Sequence, residues 1–110
     1  MNFLLFPLFA ISIVLYNDSP FTLKAQIIAA DGTDKGTIQL TPQHQFKWQD
    51  TTQNTQTFSQ TPYTVIWYCK DGNEYGVQQN VGTGYTVPAQ ASSGRRFCKP
   101  DQQQPPEKNS

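Results

Sequence analysis

Pro62-Tyr63-Thr64-Val65-Ile66-Trp67-Tyr68-Cys69-Lys70 decides the fold, because it reads as a strand and as nothing else. In an extended chain successive side chains point to opposite faces, so Tyr63, Val65, Trp67 and Cys69 share one face. Thr64, Ile66, Tyr68 and Lys70 share the other. Both faces are bulky, which predicts a central strand covered on both sides. Asp71-Gly72 follows at once, the dipeptide that returns a chain in a hairpin. Residues 74–81 then read as the returning strand.

Outward from this hairpin the same period recurs. His44-Gln45-Phe46-Lys47-Trp48-Gln49 alternates, with Phe46 and Trp48 on one face. Thr37-Ile38-Gln39-Leu40 reads as a strand closed by Pro42, which cannot donate to a ladder. In residues 21–27, Phe21, Leu23, Ala25 and Ile27 face inward. These pieces predict a meander of short antiparallel strands. Residues 50–61 carry Thr, Gln, Asn and Ser with Phe58 as sole anchor, so they read as a long surface loop.

On the carboxyl side, Gly82-Thr83-Gly84 turns into Tyr85-Thr86-Val87, and Pro88 closes it. Residues 89–94 form a small-residue loop, and Arg95-Arg96-Phe97-Cys98 a last short strand. Residues 99–110 hold three Pro, three Gln and no aliphatic side chain, which predicts a disordered tail. No stretch outside the amino terminus keeps a 3.6-residue apolar period over a helix length. The fold class is therefore all-β: a small antiparallel sandwich or partly open barrel of about seven short strands. Trp67 precedes Cys69 instead of lying between the cysteines, so immunoglobulin spacing is absent.

Formal net charge is zero and the pI is near 6.5, so no long-range field favours nucleic acid or an anionic membrane. Fourteen Gln and twelve Thr give solubility and β-propensity without charge. Residues 3–16 are a run of 14 without charge, broken once by Pro7. A spanning helix needs about 20 apolar residues, whereas a signal-peptide core has this length. Ala10 and Ser12 are small residues at −3 and −1 of a cut after Ser12, although Met1-Asn2 supplies no basic region. The expectation is export to a periplasmic, outer-envelope or secreted location. Residues 1–12 would be the signal, 13–98 the domain and 99–110 the tail, with no transmembrane helix in the mature chain. The rivals are a buried first strand in a cytosolic protein and a retained anchor. Ile13-Val14-Leu15-Tyr16 would survive as the first strand, ending at the turn Asn17-Asp18-Ser19-Pro20. Asn17-Asp18-Ser19 also matches a glycosylation acceptor for a eukaryotic secretory pathway.

The run 16–25, then Ala29-Ala30-Asp31-Gly32, Trp48-Gln49-Asp50 and Thr61-Pro62-Tyr63-Thr64-Val65-Ile66-Trp67-Tyr68-Cys69, resembles small exported β-proteins of Chlamydia-like intracellular bacteria. The likeness covers most of residues 13–98. It implies export, and brings no assigned activity, catalytic residue or ligand.

Cys69 and Cys98 are the only cysteines, and in an exported chain they read as a structural disulfide. Two cysteines and one histidine do not make a zinc site, so no metal and no cofactor is assigned. His44 could serve a small hydrolase with a serine nucleophile and an acid such as Asp50, but no G-x-S-x-G is present. Asp50 with Asp71 or Glu74 has no favourable spacing, and turn chemistry accounts for Asp31-Gly32-Thr33-Asp34 without calcium. No catalytic residue is assigned, and the chain reads as a non-enzyme. The candidate binding surface is Trp48, Tyr68, Tyr75 and Tyr85 with the basic pair Arg95 and Arg96. The expected role is a binding or structural module contacting a protein or envelope component, through these groups or an edge strand near Pro88 or Phe97. A carbohydrate-binding module using Trp48 and Tyr68 is the alternative.

Overall fold

Alternation along residues 63–69 sorts side chains as the period-2 rule requires. Tyr63, Val65 and Trp67 are fully buried and Cys69 nearly so, while Thr64, Ile66 and Tyr68 are half-buried. The computed structural model describes residues 11–50 and 62–99. The first ten residues, the polar bridge 51–61 and the tail from residue 100 lie outside the described residues. In chain order the strands are β1 (Ile11–Tyr16), β2 (Leu23–Ile28), β3 (Asp34–Leu40), β4 (Gln45–Asp50), β5 (Tyr63–Cys69), β6 (Glu74–Val81) and β7 (Thr86–Pro88). A single 3-10 turn follows at Ala89–Ala91. Two sheets form, ordered β4-β1-β7 and β3-β2-β5-β6, and they face each other as a sandwich.

One loop design builds both hairpins. The Ala29 N–H donates to Thr33 O at 2.8 Å and the Gly32 N–H to Ala29 O at 2.9 Å. Cys69 repeats this with Asn73 and Gly72 at 2.8 and 2.9 Å. Asp31 and Asp71 accept from the amides two residues on, at 2.9 and 3.0 Å. Gly32 and Gly72 sit at φ 92° and 95°, where a Cβ is penalised. The Asp-Gly signal thus sets two strand returns by local chemistry alone.

Three sequence expectations are corrected. The strands do not form one meander, because β4 leaves the sheet of β2 and β3 and pairs with β1. The corner is held by the Asn17 N–H on His44 O (2.9 Å) and the Gln43 N–H on Asn17 O (2.7 Å), with Gln43 at φ 69°. This crossing sets Trp48 opposite Ile13 and packs its ring 5.4 Å from Tyr63 of the facing sheet. β5 is central, between β2 and β6, but its outer face is half-exposed instead of covered. Residues 95–98 are not a strand. Gly94 at φ 149° and Arg96 at φ 54° break the extended run, and only Ser93 bridges Val77 of β6.

β1 begins at Ile11, two residues before the strand expected from the sequence, and pairs in parallel with β7. The Ser12 carbonyl accepts from Gly84 N–H at 2.7 Å, so the expected cut after Ser12 falls inside a bonded strand.

The core centres on Trp67, with Ile13 and Leu15 contributed by the opposite sheet. Burying an indole of roughly 200 Å² is worth about 5 kcal/mol. The Trp67 indole N–H has no partner among the described residues, a cost of about 1–3 kcal/mol that the burial outweighs. Asn17, also fully buried, is the polar knot. Its Nδ2 donates to Phe21 O at 2.7 Å and Leu40 O at 2.9 Å, and its Oδ1 accepts from the Ser19 N–H and hydroxyl at 3.0 and 2.7 Å. Both amide hydrogens are committed, so the glycosylation reading of Asn17 fails in this fold.

Candidate functional site

The six residues nominated from sequence do not form one surface. Trp48 is 9 % exposed and Tyr75 fully buried, so both belong to the core. Each occupies an inward position: Trp48 lies opposite buried Ile13, and Tyr75 sits in a β6 irregularity opposite Trp67 and Tyr68. Tyr68 lies on the outer face of β5, where its hydroxyl donates to Gln26 Oε1 at 3.0 Å. Tyr85 is exposed in the turn before β7, over Gly82. A sugar platform built on Trp48 and Tyr68 is therefore not available, because Trp48 faces Tyr63 in the interior.

Arg95 and Arg96 are exposed, and the residue that follows them is a large apolar one. Phe97 is 56 % exposed, the most of any large apolar side chain described. Its ring packs edge-on against Phe21 at 5.9 Å, and Phe21 packs edge-on against Tyr75 at 6.1 Å. An aromatic ladder thus runs from the core to solvent. Residues 95–98 are not a strand, so no periodic signal in the sequence marks this exposure.

Local chemistry fixes this ladder. Cys98 is bonded to Cys69 with Cα atoms 5.6 Å apart, an ordinary disulfide span. Closing this loop, with a sequence separation of 29, removes unfolded-state entropy worth roughly 3–4 kcal/mol. The Arg96 N–H donates to Tyr75 O at 2.8 Å. Gly94 and Gly76 let the segment lie flat on β6. A Cβ on Gly76 would strike the Ser92 side chain, and one on Gly94 would come within 2.9 Å of Gly76 Cα and Tyr75 O.

Gln90 ties the segment to the turn after β1. Its N–H donates to Asp18 Oδ1 at 2.7 Å, its carbonyl accepts from Arg96 Nη1 at 2.9 Å, and its side chain accepts from the Tyr75 hydroxyl at 2.8 Å. Burial, and then the Asp18 carboxylate, push the Tyr75 phenol above its ordinary value, against the opposing charge of Arg96. Tyr75 is accordingly a neutral strut.

A cleft of about 80 Å³ opens over the disulfide, between Glu74 on one side and Arg95, Phe97 and Lys99 on the other. A second, wider groove of about 510 Å³ lies along β6, where Gln78 and Gln79 part from Ala91. Pro88 ends β7, which pairs with β1 on one side and is the edge strand of its sheet, as expected from the sequence.

His44 is exposed in the turn before β4, with Thr41 Oγ1 2.7 Å and Pro42 O 3.2 Å from its Nδ1. Those contacts make it a turn residue. Asp31 is held below its ordinary value by the Thr33 hydroxyl and amide, which is turn capping. Among the described residues no three His, Cys, Asp or Glu side chains gather as a metal cluster. No family model, curated protein or solved structure matches the chain.

Proposed function

We propose that the protein is an exported, non-enzymatic binding module that contacts a protein or envelope component through the Phe97 end of the sandwich. One observation carries the reading: Phe97 stands more than half exposed, although the residue beside it is covalently bolted to β5. A rigid segment that holds a large apolar ring in water gives up burial it could have had. Such a ring beside arginine is the composition of an interface anchor. Export is supported by the disulfide, which persists in oxidising compartments. It is supported also by the uncharged run 3–16, whose first eight residues precede β1.

A photo-crosslinking amino acid placed at position 97, in the cells that make the protein, tests the reading. Position 49 on exposed β4 serves as control. A discrete adduct at 97, absent at 49 and weakened by Arg95→Ser, is the expected result. Equal, diffuse labelling at both positions would refute the assignment of this face.

A further inference from the structure

We infer that the Phe97 face takes an acidic peptide segment, one that seats an apolar side chain against Phe97 and Phe21 between flanking carboxylates. This rests on the reading of the face proposed above and adds the chemistry of its partner. The argument is one of charge placed around an apolar anchor. Arg95, Arg96 and Lys99 are three of the chain's eight cations, gathered within five residues that contain no acid. Lys70 follows the other cysteine of the bridge and is exposed, so cations adjoin both ends of the disulfide. The chain as a whole is neutral, which makes this a local feature and not a consequence of composition.

Nearby acids offset it only in part: Asp18, Asp71 and Glu74 stand against the four cations. Asp71 caps its own hairpin, accepting from the Asn73 amide at 3.0 Å and side chain at 3.1 Å. Asp18 accepts from Gln90 N–H at 2.7 Å. Glu74 lines the same small cleft as Arg95, Phe97 and Lys99, so it works against a bound carboxylate there. An anionic membrane fits less well. Interfacial insertion needs several apolar groups, and here one large ring stands out beside an acid.

Backbone geometry supports a presented face. Arg96 adopts φ 54°, a left-handed conformation uncommon for a residue with a Cβ. That kink is what lets its N–H reach Tyr75 O while its neighbour Phe97 packs on Phe21. Strain of this kind is retained where the surroundings impose it, here the disulfide and the Gln90 contacts.

The test uses the oxidised full chain and three short synthetic peptides sharing a central Leu-Phe, with Asp/Glu, Ser/Gln or Lys flanks. Anionic phosphatidylglycerol vesicles form a fourth arm. Binding is followed by backbone amide shifts, which also report that each variant stays folded. The acidic peptide should shift residues 95–99 and Phe21 and bind most tightly. Phe97→Ser should weaken it about 30-fold, as for an anchor residue. Arg95→Ser and Lys99→Ser should each weaken it roughly 1.4- to 5-fold, an effect that fades in salt. Glu74→Gln should tighten it.

Equal binding of the Ser/Gln peptide would overturn the acidic preference while leaving the Phe97 face in place. Shifts elsewhere, or none with any peptide, would overturn the peptide assignment, and the crosslink at position 97 then decides the face independently. Binding to vesicles without peptide binding would replace the peptide by a membrane surface.

Discussion

Replacing Asn17 with alanine should remove a large part of the domain's stability, although no apolar contact of consequence is lost. The change removes both Nδ2 donors, to Phe21 O and Leu40 O, and the Oδ1 acceptor of Ser19. The bonds to Leu40 and Ser19 are buried, and that to Phe21 is partly buried. Each buried group left unpaired costs about 1–3 kcal/mol. Phe21 O keeps the Ser19 hydroxyl at 3.1 Å, so two groups, Leu40 O and the Ser19 N–H, lose their partner, a loss of roughly 2–6 kcal/mol. A domain of this size has about 5–10 kcal/mol in all. Urea unfolding of the oxidised protein followed by the fluorescence of buried Trp48 and Trp67 is the assay. The midpoint should fall steeply with the slope unchanged. Asn17→Asp sharpens the test, since it keeps the shape and turns an oxygen toward two carbonyls. It should destabilise at least as much at neutral pH and recover partly in acid, where a protonated carboxyl regains one donor. A loss under about 1 kcal/mol for Asn17→Ala would mean that water replaces these bonds and that the corner is not the polar knot described.

Cys98→Ser should cost about 3–4 kcal/mol, and limited trypsin should then cut first after Arg95 or Arg96, where the clamp has gone; unchanged cleavage would show that Ser93 and Arg96 hold the segment alone. Gly76→Ala should displace Ser92 and lower stability by about 1–3 kcal/mol by overpacking, read by thermal melting. Tyr75→Phe should cost about 1 kcal/mol at neutral pH through the lost Gln90 bond. The Tyr75 phenol is raised in the fold, so its contribution is complete below the unfolded value near 10 and is lost as pH rises through the folded value. The gap between wild type and Tyr75→Phe should therefore narrow in alkali, and a gap that widens there would contradict the assigned direction.

What was legible in the sequence was what local chemistry determines. The period of residues 63–69 sorted buried from outward groups, Asp-Gly marked both hairpins, and two cysteines in a β-rich chain paired as expected. Sheet assignment was not legible, because it turns on contacts distant in sequence. The crossing of β4 depends on Asn17 bonding across 23 residues to Leu40, and the β1–β7 pair joins the two ends of the fold. Asn17 announced a turn, but a turn signal does not say whether the side chain is wet or buried. Trp48 and Tyr75 misled because an aromatic with a polar tip suits either an interior or a docking face. Phe97 was legible only as part of an expected edge strand, because its exposure follows from the kinks at Gly94 and Arg96 and not from the alternation of a strand.

The proposed export and the Cys69–Cys98 clamp on residues 95–99 stand or fall together. Intact mass of the protein taken from its own cells, alkylated before and after reduction, tests this most directly. The expected species begins near Ile11 and takes up alkyl groups only after reduction, two of them. A folded species that keeps Met1 and is alkylated at both cysteines without reduction would contradict export, the clamp and the presented Phe97 together.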